Sequence, residues 1–259
     1  MAGQRVFITG ASSGLGEGLA RHYGRAGAVI GLVARRAAML ESLATTLRGQ
    51  GATVHVYAGD VADTAFMTAS ASAFVEAAGG VDLVIANAGV GVAADAPKTG
   101  AAADVAWMLG VNVIGVTNTI VPFVPTMLAQ KSGVLCAVSS VAGHRALPGR
   151  TAYSASKVAV TTFMSGLRMD LHGSGVHAMT LCPGYVTTPL TAENEGMIFV
   201  IDVDRATAEM TRAIAARATT FTFPWPMRWL SVLLRHAPEG LVRRLAPPGR
   251  RQTRRSAGA

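Results

Sequence analysis

Tyr153 and Lys157 stand four residues apart in the stretch Tyr153-Ser-Ala-Ser-Lys157. On a helix that spacing puts both side chains on one face, about 5–6 Å apart at Cβ. A free phenol, with a pKa of about 10, is a poor base near neutrality. A neighbouring ammonium favours the phenolate and draws it toward the working range. Such a pair can accept the hydroxyl proton of an alcohol as hydride leaves carbon, or return a proton to a developing alkoxide. Thirteen residues upstream, Val138-Ser139-Ser140 closes an apolar run. A serine hydroxyl at a strand end can hydrogen-bond the reacting oxygen and fix its position. Ser140 is the candidate for that role. Ser139 is expected to be structural, because adjacent strand residues point to opposite faces.

A second group of residues has the types needed to hold a dinucleotide. Gly10, Ser12, Ser13, Gly14, Leu15 and Gly16 lie between an apolar run and a helical pattern. Glycines there permit a tight turn, and they let backbone N–H groups approach a pyrophosphate at the positive helix terminus. The next apolar run ends Val33-Ala34-Arg35-Arg36. A carboxylate at that point would hold a ribose 2′-hydroxyl, whereas a guanidinium can pair with a 2′-phosphate. NADP(H) is therefore expected in preference to NAD(H), with Arg35 as the main ligand, Arg36 beside it, and Ser12 or Ser13 as supporting donors. The competing reading has both arginines solvated at a helix start.

Elements that position these groups are visible as an alternation of short apolar runs with longer helical patterns. The strand candidates are Arg5–Thr9, Ala28–Ala34, Thr53–Tyr57, Val81–Ala86, Val134–Ser139 and Val176–Leu181. Most are apolar on both alternations, as in a parallel sheet covered on both faces. The helix candidates are Leu15–Ala26, Ala37–Gly49, Thr64–Ala78, about 101–129, Tyr153–Leu171 and about Asp204–Arg217. Pro122 and Pro125 are expected to bend or end the fourth of these. The pattern predicts an α/β fold, a Rossmann-type doubly wound parallel sheet of about seven strands with helices on both faces. Residues 1–223 form the catalytic domain in this reading, with a substrate lid at about 187–217. An amphipathic extension at 224–246 follows, with short helices at Met227–His236 and Glu239–Leu245. A basic tail at 247–259 is expected to be disordered.

Composition narrows the classes. Half of the 259 residues are hydrophobic, which excludes a disordered body. Two cysteines, Cys136 and Cys182, sit in apolar runs and read as reduced thiols in a reducing compartment. No leader pattern and no uninterrupted apolar run of about 18–20 residues is visible, so the chain is expected to be cytoplasmic. Of the net charge of +8, residues 219–259 supply +7, from eight arginines against Glu239. The remainder is nearly neutral, which argues against a nucleic-acid partner. Six histidines show no ligand spacing, and no metal is expected.

The spacing GxxxGxG at Gly10, Gly14 and Gly16 resembles the short-chain dehydrogenase/reductase family, and five further motifs extend the likeness. They are Asp60-Val61, Asn87-Ala88-Gly89, Asn112, the Ser140/Tyr153/Lys157 set, and Pro183-Gly184-Tyr-Val186-Thr-Thr188. The resemblance implies an NADP-dependent oxidoreductase interconverting an alcohol and a carbonyl. It further implies that Asp60 and Val61 border the adenine and that Asn87, Ala88 and Gly89 wall the cofactor site. Lys157 would bind the nicotinamide ribose, and Asn112 would hold a water that relays protons from Lys157. Pro183, Gly184, Val186 and Thr188 would lie against the nicotinamide. A homodimer or homotetramer is implied in the same way.

Substrate contacts are expected from Ser140, Tyr153, His144, Leu147, Tyr185 and Leu190, the last two suggesting an apolar alcohol or carbonyl compound. For His144 an exposed loop residue is the first reading and a substrate contact the second. The extension interleaves Trp225, Trp229, Leu230 and Leu233 with arginines. Packing on the body or on a partner subunit is the first reading, and peripheral membrane contact through 224–255 is the second. A non-catalytic dinucleotide-binding regulator is the rival class. A sugar-nucleotide epimerase or dehydratase is less well matched, since about 75 residues follow Pro183.

Overall fold

A computed structural model describes residues 3–91, 101–146, 149–192, 194 and 196–245. Leu147 and the 247–259 segment lie outside the described residues. Seven parallel strands form one sheet: β1 Arg5–Thr9, β2 Val29–Ala34, β3 Thr53–Ala58, β4 Leu83–Ala86, β5 Gly133–Val138, β6 Val176–Pro183 and β7 Thr220–Phe223. Their spatial order is β3-β2-β1-β4-β5-β6-β7. The order reverses between β1 and β4, and ligands of open α/β sheets bind outside the strand carboxyl ends at that point.

The two-residue period of each strand feeds two cores. Val6 and Ile8 of β1, Ile30 and Leu32 of β2, and Met179 and Leu181 of β6 enter one core. Phe7, Val33 and Ala178 enter the other. Helices α1 (Gly14–Arg25), α2 (Ala37–Gly49) and α8 (Val203–Ala215) cover the first face. Helices α3 (Thr64–Ala78), α4–α6 and α7 (Thr151–Asp170) cover the second. Both faces of the inner strands are therefore dry, which is why these strands are apolar at nearly every position, whereas the edge strands β3 and β7 are partly exposed.

The prolines of the fourth helical stretch fall where its α-helix ends and a new segment begins, as expected. Helix α4 (Ala101–Leu109) passes through a π-turn at Gly110–Ile114 into α5 (Gly115–Ile120), then through a 3₁₀ turn at Val121–Phe123 into α6 (Val124–Gln130). Pro122 and Pro125 fall in the first turns of the last two segments, where the missing N–H has no intrahelical acceptor to lose. By length and composition, residues Ala102–Gln130 could cross a membrane, with mean hydropathy 1.5, but half of that window is buried within the domain. Asn112 and Asn118 within it are turned inward.

Past β6 the chain is irregular, with one isolated parallel bridge between Val186 and Ile201. The extended stretch near Phe221 is β7, whose Phe223 lies opposite Pro183. Helices α9 (Trp225–His236) and α10 (Glu239–Leu245) follow. Met227 and Val242 are buried, so the extension packs on the body as expected. Trp225 and Trp229 do not take part in that packing and stay exposed.

Gly31 lies where the faces are most crowded. A Cβ there would sit 2.5 Å from a ring carbon of Phe7 and 2.9 Å from one of Phe74, and both rings are fully buried. Gly31→Ala is expected to destabilise the chain by about 1–3 kcal/mol through overpacking. Thermal unfolding should show a melting point several degrees lower, and an unchanged one would mean that the rings have room to yield.

Candidate active site

Ser140 leaves the carboxyl end of β5 in an extended conformation and caps a 3₁₀ turn at Val141–Gly143, its Oγ accepting from the Ala142 N–H at 3.1 Å. Ser139 faces the other way, and its Oγ donates to the Lys157 carbonyl at 2.9 Å. Gly143 must be a glycine here, because a Cβ would come within 2.8 Å of Ser139 Oγ and 3.0 Å of the Lys157 carbonyl oxygen. The turn after β5 is thus pressed directly onto α7, the helix that carries Tyr153 and Lys157.

Lys157 is buried, and its Nζ donates to the Val138 carbonyl at 3.0 Å. The same Nζ lies 5.7 Å from the centroid of the Tyr153 ring. Burial pushes the Lys157 amine down to about 8. Burial also pushes the Tyr153 phenol up, while its hydrogen bond with Ser140 and the charge of Arg150 pull it back. The lowering of the phenol expected from Lys157 is not realised, and burial dominates, because loss of water penalises the charged form.

Asn112 lies in the π-turn, fully buried. Its Oδ1 accepts from the Val90 N–H at 2.8 Å, and its Nδ2 donates to the Val90 carbonyl at 2.9 Å and to Ser156 Oγ at 3.0 Å. Ser156 Oγ in turn donates to the Tyr153 carbonyl at 2.7 Å. The Asn112 side chain thus ties the turn after β4 to α7, and both of its N–H donors are taken up by protein groups. Sequence reasoning quoted Ser156 only as part of a motif. Its linking role depends on the π-turn, which has no periodic signature.

Thr9 joins the two glycine-bearing turns. Its Oγ1 accepts from the Asn87 and Ala88 N–H groups, each at 3.2 Å, and its carbonyl accepts from Asn87 Nδ2 at 3.0 Å. Gly10 adopts a φ of +69°, and a Cβ on it would lie 2.8 Å from Ala88 Cα. Ser13 caps α1 without a side-chain hydrogen bond, which leaves the first-turn N–H groups of that helix without a side-chain acceptor. Arg36 donates to Ser12 Oγ at 2.8 Å and to Ser13 Oγ at 2.8 Å. Arg35 and Arg36 are both exposed and both line the cleft, and Arg36 is the one bonded to the serines of the glycine turn. Asp60 Oδ1 caps its own turn by accepting from the Ala62 N–H at 2.9 Å.

One cleft at the carboxyl edge gathers every residue singled out for the dinucleotide, from Gly10 through Thr188, except Gly16. Gly16 lies beneath it, where a Cβ would run into the Gly10 carbonyl and come within 2.6 Å of Asn87 Nδ2. Ser140, Tyr153 and Leu190 line the same cleft, and so do Val90 and Thr191, which sequence reasoning missed. Thr191 Oγ1 bonds both the Val186 carbonyl and the Thr188 backbone, closing a tight turn. His144 and Tyr185 lie outside the lining. His144 Nε2 meets Thr222 Oγ1 of β7 at 3.1 Å, and Tyr185 is near enough to Tyr153 to raise its pKa. Gly184 owes its lack of a side chain to α9, since a Cβ would lie 2.7 Å from Met227 Cγ.

A doubly wound parallel sheet with a glycine-rich turn, an uncapped first helix and a Ser/Tyr/Lys set at one edge defines a Rossmann-fold oxidoreductase. The chain belongs to the short-chain dehydrogenase family, whose model, described as short chain dehydrogenase, matches residues 4–198. It is 37% identical over 255 residues to an uncharacterized oxidoreductase from Myxococcus xanthus, covering 95% of this chain and 98% of that one. Among solved structures, a short-chain dehydrogenase/reductase from Burkholderia phymatum in complex with NAD superposes with a TM-score of 0.81 at 27% identity, covering 97% of this chain and 98% of that one. An alcohol dehydrogenase from Thermococcus sibiricus complexed with 5-hydroxy-NADP gives a TM-score of 0.75 at 26% identity, covering 85% and 95%. The family binds nicotinamide dinucleotides.

The depressed Lys157 pKa carries a sign. Below about 8 the folded chain holds a buried ammonium that the unfolded chain would hydrate. Between about 8 and the ordinary lysine value of about 10.5 the unfolded chain binds the extra proton, so stability rises with pH. Lys157→Met is expected to flatten that rise. Urea melts of both proteins across this window check it, and equal slopes would show that the amine does not titrate there.

Proposed function

We propose that the chain transfers hydride reversibly between NADP(H) and the alcohol/carbonyl pair of a small apolar substrate, with Tyr153 as general acid and base. The observation that carries this reading is the placement of Ser140, Tyr153 and the buried Lys157 amine together in the one cleft at the carboxyl edge of the sheet. A dinucleotide suits the residues present. Gly10 opens the turn with positive φ, and the first-turn N–H groups of α1 are free of a side-chain cap. When bound there, it supplies or accepts the hydride.

In carbonyl reduction Tyr153 passes its phenolic proton to the substrate oxygen as hydride reaches carbon, leaving an alcohol. In oxidation the same oxygen takes the hydroxyl proton back. Ser140 Oγ holds the substrate oxygen and stabilises charge that develops on it. Lys157 spends one of its three donors on Val138 and keeps the others for ribose hydroxyls. Asn112 serves as a positioning residue, and its backbone carbonyl or the second lone pair of its Oδ1 would hold a relay water. Pro183, Val186 and Thr188 support the nicotinamide end of the cleft, and Asp60 and Val61 the adenine end. Leu190 walls the substrate side near Tyr153, in keeping with an apolar substrate, as do Gly91 and Val90.

Arg36, held on Ser12 and Ser13, is the better placed ligand for a 2′-phosphate, with Arg35 as second donor. The convergence of Ser140, Tyr153 and Lys157 supports an enzyme over a dinucleotide-binding regulator, which needs no proton chemistry. A homodimer or homotetramer is supported by Ile114, Val121 and Leu128, which form an exposed apolar stripe at seven-residue spacing.

A panel of ketones and aldehydes assayed with NADPH and NADH in parallel tests the reading. Tyr153→Phe is expected to reduce turnover by about 100-fold or more while nucleotide binding persists. Arg36→Ala is expected to raise KM for NADPH by about ten- to a hundred-fold and to leave NADH nearly unchanged. Faster turnover with NADH in the wild type would refute the phosphate argument, and an active Tyr153→Phe would refute the proton role.

A further inference from the structure

Helix α9 is apolar on two sides. Met227 is buried beneath Gly184, and the Arg235 carbonyl accepts from Arg145, just beyond the turn that follows Ser140. On the opposite side Trp225, Trp229 and Leu233 are 70%, 66% and 69% exposed, and Val232 is 51% exposed. These four positions, spaced i, i+4, i+7 and i+8, fall within about a 100° arc of the helix. Arg228 and Arg235 of α9 and Arg244 of α10 are exposed beside them. Across residues 219–259 the arginines number eight against one acid.

A soluble domain seldom leaves two tryptophans on one bare stripe, so the face calls for a cover. A second copy meeting this face about a two-fold axis would bring like charges together, which opposes association. A surface that is apolar beneath and anionic above complements it on both counts. Tryptophan rings settle at the headgroup level of a bilayer, and arginines draw to anionic lipids. Position agrees with this match. Phe223 lies opposite Pro183 in the sheet, so α9 starts at the edge where the cleft opens. Ile198, Phe199 and Val200, in the segment after β6, are exposed apolar groups as well.

We propose that α9 seats the chain on an anionic lipid surface, with Trp225, Trp229 and Leu233 at the boundary of headgroups and acyl chains and the carboxyl edge of the sheet turned toward the membrane. This docking stands apart from the hydride-transfer reading, and either can fail without the other.

The test is co-sedimentation of the full chain with vesicles of phosphatidylcholine alone and with about one third phosphatidylglycerol. Binding is expected to be at least about ten-fold tighter on the anionic vesicles and to weaken as salt is raised. With Trp107→Phe as background, tryptophan emission should shift to the blue and be quenched by acyl-brominated lipid. Trp225→Ser/Trp229→Ser is expected to lose about ten-fold or more of the affinity while melting temperature and NADPH turnover hold. No binding to anionic vesicles at low salt overturns the proposal. Full binding by the double variant also overturns it, by assigning attachment to the arginines alone. So does a concentration-dependent dimer in which the two tryptophans are shielded without lipid.

Discussion

The cleft depends on a buried amine. Lys157 is 4% exposed, and an ammonium taken from water is costly unless a polar partner meets it. The Val138 carbonyl meets it at 3.0 Å. This bond fixes where α7 crosses the end of β5, and the Ser139 hydroxyl repeats the tie by bonding the Lys157 carbonyl. With the helix held at two points, Tyr153 has little freedom to leave Ser140. The hydroxyl chemistry is thus set by backbone acceptors at a strand terminus, before any ligand arrives.

The other walls of the cleft are joined by the same kind of bond. Thr9 links the turn after β1 to the turn after β4. Asn112 links the turn after β4 to α7 through Ser156. Two turns and a helix distant in sequence are thereby braced against one another by buried and part-buried hydrogen bonds, each of which would be expensive to leave unmade. The strand order brings those turns to one edge, and the side chains fix their spacing.

Much of this was legible in the sequence where the signal is local. Strands buried on both faces give continuous apolar runs, so β1 and helices α2 and α3 begin and end where the pattern places them. The glycine turn declares itself through spacing, and the Ser140/Tyr153/Lys157 set through distance along the chain. What could not be read depends on contacts between distant elements. Arg35 and Arg36 are equivalent by type, and only the fold shows which one reaches Ser12 and Ser13. Gly184 lines the cleft, but nothing in the sequence shows that Met227 of the extension presses on it from the other side. The π-turn at Gly110–Ile114 has no marker of its own, unlike the interruption at Pro122 and Pro125 that the prolines announce.

The π-turn at Gly110–Ile114 holds one residue more per turn than its flanks. Inside a helix that surplus acts as a phase shift of about a quarter revolution. Upstream of it the helix presents Val105 and Met108 to the region around Tyr153, and downstream it presents Ile120 and Phe123 to the sheet. An uninterrupted α-helix of the same composition could satisfy one of these halves but not both. Removing a single residue there would turn Ile114, Val121 and Leu128 from solvent toward the sheet and swing Asn112 away from Val90, so this helix tolerates substitution far better than a change in length.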